Sequence, residues 1–98
     1  MEEAIRQIET LANTYSLNVE VLFQLGRLYF NANRVDDAIL QFQAVTILMP
    51  NHSNAHYSLG VAYQKKGQTS KAIQEFEKVL ELNPENQDVQ EKLEQLRK

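Results

Sequence analysis

The chain has 98 residues, 43% of them apolar, which allows one domain or one short array of repeats and is too apolar for a disordered tail. Ten Lys and Arg against thirteen Asp and Glu leave a net charge of −3, whereas a nucleic-acid module carries a basic face, so no nucleic-acid partner is expected. The absence of cysteine excludes disulfide scaffolds, Cys-based zinc sites and thiol catalysis.

The predicted elements follow from one spacing. The interval between the two prolines, Pro50 and Pro84, is also the interval from Gly26 to Gly60, from Tyr29 to Tyr63 and from Phe42 to Phe76. Laying residues 19–52 over 53–86 without a gap matches nine positions, where unrelated sequences of ordinary composition give roughly two. A period of this length marks stacked supersecondary units.

In chain order, residues 2–14 come first. Carried backwards, the spacing puts Ala4, Ile5, Ile8, Leu11 and Ala12 at the places of Ala38, Ile39, Phe42, Val45 and Thr46. Residues 1–18 therefore read as the second helix of a unit whose first helix is missing, plus a linker. Two explanations compete for this open start: excision from a longer chain, or cover by a second copy through Ile5, Ile8 and Leu11, making a homodimer.

Residues 19–52 form the first full unit. Asn18 can cap a helix whose apolar stripe is Leu22, Leu25, Gly26 and Tyr29. Asn33 suits the left-handed conformation of a tight turn. A second stripe, Ala38, Ile39, Phe42, Val45 and Leu48, follows Asp36 and Asp37 at a helix start and stops at Pro50. Residues 53–86 repeat the plan with His56, Leu59, Gly60 and Tyr63, a turn at Gly67, then Ala72, Ile73, Phe76, Val79 and Leu82 before Pro84. In residues 87–98, Val89, Leu93 and Leu96 make one apolar stripe on an otherwise charged helix, as expected of a cap and a natural end. Gly26 with Ala38, and Gly60 with Ala72, are expected to let paired helix axes approach, with the tyrosines and phenylalanines above and below.

These residues resemble the tetratricopeptide repeat, a helix–turn–helix unit whose length equals the spacing of the two prolines. The run His56-Tyr57-Ser58-Leu59-Gly60-Val61-Ala62-Tyr63, then Gly67, Ala72, Phe76 and Pro84, follows its signature closely. Departures are mild: His56 and Leu22 stand where tryptophan is common, Asn33 replaces a turn glycine, and Val45 and Val79 replace an alanine. The resemblance implies an all-α fold, a right-handed superhelical solenoid of antiparallel helix pairs with about six helices. It also implies an adaptor whose concave face, lined by the first helix of each unit, binds a peptide or helix of a partner protein.

The residues can be asked the same question. Once the apolar stripe and the flanking Val21 and Leu28 are set aside, Glu20, Phe23, Arg27 and Phe30 are left unexplained by packing. The equivalent stripe in the next unit is Asn54, Tyr57, Val61 and Gln64, and on the last helix it is Asp88, Glu91 and Gln95, with Lys98 at the edge. The aromatics are either anchors for a ligand's apolar side chain or padding where adjacent units meet. Members of the family that clasp the acidic tail of heat-shock chaperones use lysines and asparagines here. The corresponding Phe23, Arg27, Ser58, Asp88 and Lys92 largely lack that clamp.

Other chemistry is not expected. His52 and His56 lie at i and i+4, but no glutamate base or third ligand accompanies them, so no metal is expected. Glu75, Glu77 and Glu81 with Lys71 and Lys78 read as a solvated helix face. No nucleophile motif and no glycine-rich phosphate loop is present, so neither catalysis nor a cofactor is expected. The apolar runs are too short for this segment to insert into a membrane, and the acidic start lacks the form of a signal peptide, which points to the cytoplasm.

Overall fold

A computed structural model describes residues 18–98. Among them are five helices and no strand, in two compact units, one running to Pro50 and the other starting at Asn51. The helix expected over residues 2–14, with Ile5, Ile8 and Leu11, lies outside the described residues.

The first unit is an antiparallel pair, α1 (Val19–Asn31) and α2 (Val35–Leu48), packed along their apolar stripes. α1 begins because Asn18 is extended, at φ −81° and ψ 107°, and its side chain accepts the Val21 N–H at 3.2 Å. It ends because Asn33 turns left-handed at φ 63°. The Asn33 N–H then reaches the Phe30 carbonyl at 3.0 Å and the Arg34 N–H reaches that of Tyr29 at 2.8 Å, so the last carbonyls of the helix keep partners. Asp36 and Asp37 occupy the first turn of α2, where the helix dipole favours them. The Arg34 Nε donates to Asp37 at 3.0 Å, and its guanidinium lies 4.5 Å from the centre of the Tyr29 ring.

The second unit holds α3 (Ser53–Lys65), α4 (Thr69–Leu82) and α5 (Gln87–Leu96), with α4 packed against both others. Its turn repeats that of the first unit, with Gly67 at φ 77° where Asn33 stood, and the Gln68 N–H reaching the Tyr63 carbonyl at 2.9 Å. Both second helices stop alike. Met49 and Asn83 are pulled out to φ −135° and −145° because each precedes a proline. α5 buries Val89 and Leu93, and Arg97 at its end forms a salt bridge with Glu77 of α4.

Each unit's core is centred on a phenylalanine. Phe42 and Phe76 are almost completely buried, which is worth roughly 1.5–3 kcal/mol apiece in surface removed from water. They do not lie above and below the glycines, as the sequence suggests, but directly on them. A Cβ on Gly26 would stand 2.6 Å from the edge of the Phe42 ring, and one on Gly60 the same distance from Phe76. The glycines therefore make room for a ring. Leu48 also departs from expectation: it is exposed, whereas Leu82 at the matching place is half-buried.

Candidate functional site

In the first unit the glycine–phenylalanine contact sets up what stands on its surface. Phe42, lodged on Gly26, lies with its ring centre 5.6 Å from that of Phe23, the planes tilted by 52°. In the second unit Phe76, lodged on Gly60, stands 5.8 Å from Tyr57 at 64°, edge to face. Phe23 and Tyr57 hold the same place in their two repeats. Each is half-buried and meets a ring of its own unit's second helix.

The other residues of these stripes can be placed one by one. On α1, Glu20 and Arg27 are exposed and Phe30 is half-buried, and Glu20 accepts a hydrogen bond from the Gln24 side chain at 3.0 Å. On α3, Asn54 and Gln64 are exposed and Val61 is half-buried. On α5, Asp88, Glu91 and Gln95 are exposed, as is Lys98 just beyond its end. Ser58 and Lys92 are half-buried.

One bond ties two of these stripes together. The Tyr57 hydroxyl donates to Asp88 at 2.9 Å, joining α3 to α5. Burial holds the Tyr57 pKa above the ordinary tyrosine value, and the hydrogen bond to Asp88 and its negative charge push it the same way. The Tyr57 ring is thus fixed at both ends, by Phe76 at its edge and by Asp88 at its hydroxyl.

The histidines have structural roles that the sequence did not disclose. The Nδ1 of His52 accepts the Ala55 N–H at 3.1 Å and caps α3. Asn18 and Asn86 do the same work for α1 and α5, one repeat before it and one repeat after. His56 is buried, and its Nδ1 lies 2.7 Å from Glu75 of α4. Glu75 therefore folds inward, instead of joining the solvated face assigned to it from sequence. The signal was available, since a histidine inside an apolar stripe needs a polar partner. With one ring capping and the other facing Glu75, the pair does not converge. Among the described residues no group of three His, Cys, Asp or Glu could hold a metal ion. Among them, too, no helix is long and apolar enough to cross a membrane.

The sequence profile described as "Tetratricopeptide repeat" matches residues 53–86, and a second, described as "TPR repeat", matches residues 26–67. The chain belongs to the tetratricopeptide repeat family. A tetratricopeptide repeat relative in Arabidopsis thaliana, the domain-containing protein PYG7, described as chloroplastic, is 36% identical over 67 residues. That match takes in 68% of this chain and 22% of PYG7. Among solved tetratricopeptide repeat structures, the crystal structure of MamA is 28% identical at a TM-score of 0.89, covering 95% of this chain and 54% of MamA. YrrB, described as a TPR protein with an unusual peptide-binding site, is 28% identical at 0.85, covering 92% of this chain and 46% of YrrB. The chain thus spans about a fifth of the first relative and about half of these solved structures. Its fold class is the all-α one of tetratricopeptide repeat solenoids.

Proposed function

We propose that the chain is a non-catalytic protein-interaction module that binds a peptide or helix of a partner protein on the first-helix faces of its repeats. The residues assigned to this are Glu20, Phe23, Arg27 and Phe30 on α1, Asn54, Tyr57, Val61 and Gln64 on α3, and Glu91 on α5. The repeats are taken as residues 19–52 and 53–86, with 87–98 as the cap. The observation that carries the reading is the matched pair of half-buried rings, Phe23 and Tyr57, each backed by a buried phenylalanine lodged on a glycine. A half-buried ring already held in one orientation loses little freedom when a ligand packs on it, and such aromatics supply much of the energy of interfaces. The peptide-binding site named for YrrB, a relative at 28% identity, supports the same reading.

A peptide library displayed on phage and selected against the chain tests it. Selected peptides should lose binding to a Phe23→Ala, Tyr57→Ala variant whose helicity and solution mass match the parent. Peptides that bind the variant as well as the parent would place the site elsewhere.

A further inference from the structure

The first unit carries a second surface that its repeat partner lacks. Among the described residues, the exposed large apolar side chains are Leu40, Ile47, Leu48 and Met49, all on α2 or its C-terminal cap. Leu40 is 61% exposed and Ile47 78%. At about 100° per residue, Leu40, Ala44 and Ile47 fall within an arc of roughly 60°, with Leu48 about 40° beyond it. The same places on α4 hold Gln74, Lys78 and Glu81. The two helices share their buried stripe residue for residue at Ala38 and Ala72, Phe42 and Phe76, Val45 and Val79. The fold therefore does not require an apolar outer face on α2, and a contiguous patch of this kind marks a contact surface.

We propose that this outer face is a self-association surface, on which the Leu40–Ala44–Ile47 stripe meets the same stripe of a second copy in antiparallel alignment. The stripe reads much the same from either end, with a large residue at each end and the small Ala44 near the middle. A two-fold axis beside Ala44 sets Leu40 of one copy against Ile47 of the other, and the two alanines let the helices approach. The charges agree with this alignment. α2 carries only Asp36 and Asp37, both near its start. Asp36 lies about 12 Å along the helix from Ala44, so antiparallel pairing keeps the two Asp36 carboxylates roughly 24 Å apart. That is well beyond the screening length of about 8 Å at physiological salt. A lipid surface fits worse, because α2 has no lysine or arginine with which to meet anionic headgroups.

Three or four side chains per copy fall far short of the roughly 20 residues a side of a standard interface, so the dimer is weak and concentration-dependent. It does not occupy the Phe23 face of α1. Two copies joined through α2 would present two aromatic platforms, and a partner with two binding segments would gain by avidity. This inference stands whether or not those platforms bind peptide.

Sedimentation equilibrium from dilute to concentrated solution tests it, with a variant that carries the α4 residues on α2: Leu40→Gln, Ala44→Lys and Ile47→Glu. The parent mass should climb from 11.3 kDa towards twice that value, while the variant, with unchanged circular dichroism, stays at 11.3 kDa. A parent that remains at 11.3 kDa throughout overturns the proposal. So does a variant that dimerises as well as the parent, or a dimer abolished by Ile8→Glu and untouched by the α2 changes. A monomeric parent that pellets with phosphatidylcholine vesicles, when the variant does not, would assign the face to lipid and overturn it equally. If the triple variant fails to fold, Ala44→Cys decides, because the chain has no other cysteine. It should oxidise to a covalent dimer, since the axis brings the two Cβ atoms close, whereas Lys78→Cys at the matching place on α4 should not. Equal oxidation of the two overturns the proposal.

Discussion

The Phe76 ring occupies the space that a side chain on Gly60 would need. A Cβ there would stand 2.6 Å from the ring edge, closer than packed carbon atoms approach, and Phe76 is fully buried, with no room to swing aside. Replacing a mid-helix glycine by alanine ordinarily stabilises a helix by about 1 kcal/mol. Here overpacking dominates, and Gly60→Ala should destabilise the chain by about 1–3 kcal/mol. Gly26→Ala should behave alike, because Phe42 makes the same contact. Chemical denaturation with matched slopes measures both; a rise in the midpoint would refute the account.

The His56–Glu75 pair should act as one element. Its repeat counterparts are Leu22 and Gln41, so the swap His56→Leu with Glu75→Gln copies a combination that the first unit already uses. His56→Leu alone removes the partner of a mostly buried carboxylate and should cost about 1–3 kcal/mol. Adding Glu75→Gln should recover at least half of that loss. A double-mutant cycle reads the coupling directly, and strict additivity would show that the 2.7 Å contact carries no weight.

Capping by His52 can be judged against its equivalents. His52→Ala should destabilise the chain by about 1 kcal/mol, through loss of the acceptor for the Ala55 N–H. His52→Asn should not, because Asn18 and Asn86 cap α1 and α5 from the same place in the period. Thermal unfolding of both variants separates the cap from any other contribution of the ring.

Alkaline stability should report on Tyr57. Its folded pKa is raised above 10.0 by burial, then by the Asp88 hydrogen bond and charge. The unfolded chain therefore loses this proton first as pH rises, and ν of the folded state exceeds that of the unfolded state. The stability it contributes is fully present below the unfolded pKa and is lost as pH climbs through the folded one. Tyr57→Phe should flatten that decline. Ultraviolet titration of the phenolates, parent against variant, should assign to Tyr57 a proton lost later than from free tyrosine.

The buried stripes were legible because the repeat aligns two independent copies of the same packing problem. Leu25, Tyr29, Phe42 and Val45 are buried along with their partners at 59, 63, 76 and 79. Asn33 could be read as a left-handed turn from its chemistry alone, and it is one. Contacts between residues that differ from one copy to the other were harder to see. The Tyr57–Asp88 bond and the His56–Glu75 pair have no counterpart in the first unit, whose Phe23, Leu22 and Gln41 stand at the matching places. The outer face of α2 was hidden for the same reason: its signal is the mismatch of Leu40 and Ile47 with Gln74 and Glu81, not a match. The role of the glycines was half legible. Close approach was foreseen, but the group that approaches is a ring, which spacing alone does not reveal.

The caps at Asn18, His52 and Asn86 recur at the same interval as the prolines that end α2 and α4. In residues 53–86, α3 thus starts on a side-chain cap that immediately precedes the segment, and both helices stop on groups inside it. A tandem duplication of that segment would carry with it the left-handed turn at Gly67, the stop at Pro84 and, in Asn86, a cap for the helix that follows. The signals that open the first helix, turn the chain and end the second would therefore be copied in a single step.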